Sequence, residues 1–72
     1  MISWDSFVES IHSQYRNDVK TLALCNWMIR VAEQKQVTNE ILQKYIEYQQ
    51  QFSPLAALTR SCHDLNIHVY EE

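Results

Sequence analysis

Apolar residues recur at helical spacing through most of the chain, and the pattern changes character only near its end. Trp4, Phe7, Val8, Ile11 and Tyr15 stand at i, i+3, i+4, i+7 and i+11, one stripe of an amphipathic helix, while Glu9, Ser13 and Gln14 face away from it. Ser3 reads as the N-cap, Asp5 places a carboxylate in the positive first turn, and Ile2 with Phe7 occupy the two positions of a hydrophobic staple. This first helix is expected to end near Arg16.

The segment from 19 to 32 is the most apolar and follows a capping residue at Asn17 or Asp18. Turned by about 100° per residue, it sets Leu22, Leu24, Cys25, Met28, Ile29, Val31 and Ala32 on roughly half the circumference, with Asn26, Arg30 and Glu33 opposite. A face that wide predicts a central helix touched by several neighbours. Trp27 falls outside the apolar arc, beside the polar stripe.

Gln34, Lys35 and Gln36 form a short polar connection, after which Thr38 is expected to cap a third helix, with Val37 and Leu42 as a second staple. Ile41, Leu42, Tyr45, Ile46, Tyr48 and Phe52 keep helical spacing, which assigns Tyr45 and Tyr48 to the core. Ser53 before Pro54 predicts the start of a fourth helix, because proline at the first helical position lacks only an N–H that would have had no partner. Leu55, Leu58, Cys62 and Leu65 mark its buried side, and Asn66, tolerant of the left-handed conformation, is its expected stop. Ile67, His68, Val69 and Tyr70 then alternate in type with β-rich composition, ahead of Glu71 and Glu72. The fold class that follows is all-α: one domain over residues 1–72, a small four-helix bundle with a short extended or β-like C-terminal tail.

Composition narrows the function. The chain holds no glycine and one proline, which removes the usual residue for positive-φ turns and with it the glycine-rich loops that cradle phosphate or a dinucleotide. No nucleotide or other cofactor is expected. A core of 72 residues with 46% hydrophobic content is marginal on its own, and chains of this size commonly gain burial by pairing, which keeps a homodimer among the expectations. Net charge is −3, and Arg16, Lys20, Arg30, Lys35, Lys44 and Arg60 are dispersed rather than blocked together, so nucleic acid is the less favoured partner. The longest apolar stretch runs only from Leu22 to Cys25, and the residues after Met1 lack a basic start followed by an apolar run. No membrane span or secretory signal is expected, and the location that follows is cytoplasmic, with Cys25 and Cys62 reduced.

Catalytic constellations are weak. Cys62, His63, Asp64 and His68 all carry metal-ligating atoms, yet adjacent helical positions point about 100° apart and no Cys-x-x-Cys half-site is present, so no metal is expected. A nucleophilic thiol needs an electropositive setting; Cys25 lies mid-helix in the apolar arc and Cys62 near a helix C-terminus, where the dipole opposes a thiolate. Glu9 and His12 form a pairing common on solvated helix faces. The chain is therefore not expected to be an enzyme.

Binding remains. Trp27 beside Asn26 and Arg30 combines an exposed aromatic with hydrogen-bonding groups, the mixture enriched at interface hot spots. Ile67, Val69 and Tyr70 in an extended tail would carry unpaired backbone groups open to another strand. A 72-residue chain that opens on Met1 and lacks an active-site constellation is expected to be a small protein-binding regulator, inhibitor or adaptor, with Trp27, Asn26, Arg30, Ile67, Val69 and Tyr70 as contact residues. The alternative is a dimeric helix-turn-helix-like DNA-binding regulator reading through the helix after Thr38, where Asn39, Gln43 and Lys44 are offset by Glu40 and Glu47.

Overall fold

The computed structural model describes residues 2–68. Four helices follow one another: α1 Trp4–Gln14, α2 Val19–Gln34, α3 Thr38–Tyr48 and α4 Pro54–Asp64. No strand is present among the described residues.

Local chemistry accounts for most of the helix ends. Ser3 accepts the Ser6 N–H through its side chain, Asp18 the Thr21 N–H, and Ser53 the Ala56 N–H, so α1, α2 and α4 each start on a side-chain cap. At α3 the cap is Val37, with no side-chain bond, and Thr38 is already the first helical residue. The reason lies in the helix before it. Gln36 takes φ 58°, its N–H reaches Glu33 O at 3.2 Å and the Val37 N–H reaches Ala32 O at 3.1 Å. That is a Schellman stop, and it commits Val37 to closing α2 before Thr38 can act as a cap. The same motif ends α4: Asn66 takes φ 63°, its N–H bonds His63 O at 3.1 Å and the Ile67 N–H bonds Cys62 O at 2.8 Å. The absence of glycine thus does not remove positive-φ stops; Asn66 supplies the expected one, and Gln36 supplies another at a residue with no such preference.

The core draws on all four helices. Phe7 and Ile11 of α1 meet Cys25, Met28, Ile29 and Ala32 of α2, Ile41, Leu42 and Tyr45 of α3, and Ala57, Leu58 and Cys62 of α4. The apolar arc of α2 is narrower than its composition suggests, since Leu22, Leu24 and Val31 are only half-buried at its edges. Tyr45 lies in the core with its ring edge-on to Phe7 at 4.7 Å between centroids. Tyr48 is half-buried and donates its hydroxyl to Asp64 at 2.6 Å. Every buried side-chain polar atom among the described residues has a hydrogen-bond partner; Ser61, for one, turns its hydroxyl back onto Ala57 O at 2.8 Å.

The overall extents are 26 × 25 × 24 Å. A helix of 16 residues is about 24 Å long, so α2 runs the full width of the globule and packs on each of the other three helices. The chain is therefore an all-α globule with nearly equal axes rather than an elongated bundle. Ile67 belongs to its core at 2% exposure, a correction to the expectation that the tail begins there: the Schellman stop that ends α4 folds this residue inward. Val69 and Tyr70, the other two tail residues singled out, lie outside the described residues.

Candidate interaction surface on the second helix

Because α2 spans the globule while its neighbours pack on one side, its opposite side stays open. The buried residues Cys25, Met28, Ile29 and Ala32 centre on one direction of the helical wheel, and the positions diametrically across are Val19, Arg30, Ala23, Gln34, Trp27 and Lys20. All six are exposed. Val19 is 78% exposed and Trp27 44%, and with Ala23 they stand at i, i+4 and i+8, a continuous apolar strip a little over two turns long.

The sequence-derived contact residues separate on this surface. Trp27 and Arg30 lie on the open strip, whereas Asn26 sits about 100° round the helix from Trp27, towards α1. There His12 Nε2 stands 2.6 Å from Asn26 Oδ1, a contact that needs the imidazole proton on Nε2. About two turns further along, Trp4 Nε1 donates to Glu33 Oε2 at 2.8 Å. Two members of the polar stripe are thus taken up in fastening α1, and Trp4, assigned to the apolar stripe of α1, is half-buried at that junction. Ile67 is in the core, as described above. Val19 and Ala23 were missed by the sequence reading, although their i, i+4 spacing to Trp27 was the available signal.

Charge on the strip is of one sign. Lys20 and Arg30 are its ionised side chains, while the carboxylates nearest in sequence point elsewhere. Asp18 accepts the Thr21 N–H at 3.2 Å and the Thr21 hydroxyl at 2.7 Å, and these bonds hold its carboxyl below the usual range, the side-chain bond first. Glu33 is bound to Trp4.

The groups with catalytic potential sit differently. Cys25 and Cys62 are free and buried, and desolvation pushes their thiols up, to about 11 for Cys25 and about 12 for Cys62. Asp64 faces Tyr48 and, at 3.6 Å, Lys44. The Tyr48 hydrogen bond is the main reason its carboxyl titrates below the usual range. His63 packs edge-on against His68 at 4.8 Å between centroids. No three His, Cys, Asp or Glu side chains gather as a metal site among the described residues, and none of the described helices is long and apolar enough to cross a membrane. A shallow depression along α1, lined by Glu9, His12, Ser13, Arg16 and Leu22, is open to solvent.

Comparison with known protein families, with curated proteins and with solved structures finds no match to this chain.

Proposed function

We propose that this domain is a protein-binding regulator, inhibitor or adaptor that works without catalysis, through the open face of α2 centred on Trp27. The observation that carries the reading is the exposure of Trp27 at 44% within a strip that also holds Val19 at 78%. An indole presents roughly 250 Å² of surface, so that exposure leaves roughly 110 Å² to be covered, about 3 kcal/mol at 25 cal/mol per Å². That is the size of an interface hot spot. The thiols support the non-catalytic half of the proposal, because burial keeps both protonated and away from substrate.

The same face on a second copy is one partner to test, since a homodimer would cover it too. Light scattering over a concentration series, on the intact chain and on a chain ending at His68, separates the two regions; a truncation there keeps Ile67, which the core needs. The DNA-binding reading would use α3, whose exposed side carries Asn39 and Gln43 beside Glu40 and Glu47, and those carboxylates oppose phosphate.

The deciding experiment is partner capture with the wild type, Trp27→Ala and Val19→Glu side by side, each checked for unchanged helicity. The expected result is retention by the wild type that both substitutions abolish and that moderate salt leaves intact. Equal retention by all three would reject the α2 face, and capture of nucleic acid with steep salt dependence would reject the protein-binding class.

A further inference from the structure

We propose that the open face of α2 docks an acidic amphipathic helix of a partner protein, whose apolar residues seat on Val19, Ala23 and Trp27 while its carboxylates reach Lys20 and Arg30. This rests on the reading of α2 as the binding surface and adds the chemistry of the occupant.

The argument is charge complementarity on a strip of fixed length. The chain as a whole carries −3, yet the charged side chains on this strip are Lys20 and Arg30, both exposed and in no ion pair among the described residues. The nearest carboxylates lie at its margins, Asp18 turned onto Thr21 though close enough to Lys20 to interact with it electrostatically, and Glu33 onto Trp4. Ten residues separate the two cations, about 15 Å along the axis, and Val19 lies about 12 Å from Trp27. The face is therefore a short apolar rib with a cation near each end. A helix laid along it would offer anchors at i, i+3 or i+4 and i+7 and would bring carboxylates to both cations if these stood ten or eleven residues apart.

Other occupants fit less well. An antiparallel two-fold pairing of α2 with α2 sets Lys20 of one copy against Arg30 of the other at both ends, and a parallel pairing sets each cation against itself; no carboxylate on the strip relieves either arrangement. An anionic membrane would gain from two cations only, while the net −3 of the chain is repelled.

The test is selection of random displayed peptides, about 16 residues long so that four turns can form, on the intact chain at low salt. Enriched sequences are expected to be acidic with apolar residues at helical spacing. A synthetic copy of the most enriched one should lose affinity about tenfold or more against the Lys20→Glu/Arg30→Glu variant, and selection on that variant should return basic peptides. Peptides that need Trp27 but show no acidic excess would overturn this inference and leave the α2 surface standing. Peptides indifferent to Trp27→Ala and Val19→Glu, or no enrichment at all, would overturn both. Dimerisation abolished by Val19→Glu would assign the face to a second copy, and binding to vesicles of anionic phospholipid without peptide enrichment would assign it to membrane; either result overturns the proposal.

Discussion

Removing one hydroxyl, Tyr15→Phe, should loosen a helix whose start lies 40 residues away in sequence. The first turn of α4 has donors that no intrahelical carbonyl can satisfy. Pro54 has no N–H, Ala56 donates to Ser53 Oγ at 3.3 Å, and Leu55 donates to Tyr15 Oη at 2.8 Å. Tyr15 is itself the C-cap of α1, so this bond ties the end of the first helix to the beginning of the last. Phenylalanine keeps the ring and its packing and leaves the part-buried Leu55 N–H without a partner. A net hydrogen bond contributes about 0.5–1.5 kcal/mol, and a buried donor left unsatisfied costs about 1–3; partial burial places the expected loss near 1–1.5 kcal/mol. For a chain of 72 residues the unfolding entropy is about 0.15 kcal/mol per degree, so Tm should fall by about 7–10 °C. Urea denaturation should show a lower midpoint with an unchanged slope, and amide exchange at Leu55 should quicken more than in α2. A variant within about 0.3 kcal/mol of wild type, or one whose Leu55 amide keeps its protection, would show that the hydroxyl does not cap α4.

Gln36→Gly should stabilise the chain by about 0.5–1 kcal/mol, because the left-handed conformation costs a residue with a Cβ about 1–2 and glycine gives back part of that in unfolded-state entropy; Asn66→Gly should gain less, and a Tm that falls in Gln36→Gly would contradict the Schellman account. With both thiols buried and pushed up to about 11 and about 12 from an ordinary 9.0, Cys25 and Cys62 should react with an aromatic disulfide at pH 8 far more slowly than in the unfolded chain, and equal rates would place them at the surface. Their raised values also mean that their share of the stability is complete below pH 9.0 and is lost as pH rises through about 11 to 12, which an alkaline denaturation series would follow. Asp18 and Asp64 titrate below their ordinary 3.8, so their contribution is present above that pH and disappears as pH falls through the folded values; Asp18→Asn/Asp64→Asn should flatten the acid limb, and an unaltered limb would count against both bonds. Leu58→Ala at 0% exposure should cost about 2–5 kcal/mol, while Trp27→Ala should cost well under half as much; equal losses would make Trp27 part of the core.

The parts of this fold that were legible in the sequence are those decided within one turn of chain. Ser53 with Pro54, a cap at Asn17 or Asp18 that the structure places on Asp18, and Asn66 as a stop each act on a backbone group two or three residues away, so the residues alone narrow them to one or two positions. Thr38 was misassigned because two local rules compete for the same place: the stop of α2 claims Val37 before the cap of α3 can form. The junctions Trp4 with Glu33, His12 with Asn26 and Tyr15 with Leu55 span 14 to 40 positions, and they depend on how helices cross, which periodicity does not encode. Trp27 was legible as an exposed aromatic from its angle on the wheel. Val19 and Ala23 are less legible, because Asn26, Arg30 and Glu33 give that side of the α2 wheel a polar character.

The exposure of the α2 strip follows from the lengths of the helices. Three helices of 11 residues, each about 16 Å long, can cover one side of a helix about 24 Å long and leave its far side to solvent. Length alone would expose whatever residues stood there, and charged or amide side chains would serve the fold as well as Val19, Ala23 and Trp27. The polar residues nearest the strip show the contrast. Asn26 and Glu33, on the side facing α1, are bonded to His12 and Trp4 and so fasten the fold together. Trp27 and Val19, on the side that no other described helix covers, leave apolar surface in water. Both bonds lie at the exposed rim of the α1–α2 contact, whose interior is apolar, so the polar groups beside α1 are used by the fold while the apolar groups of the rib are not. That contrast, more than the exposure of any single side chain, is why the rib reads as a surface meant to be covered.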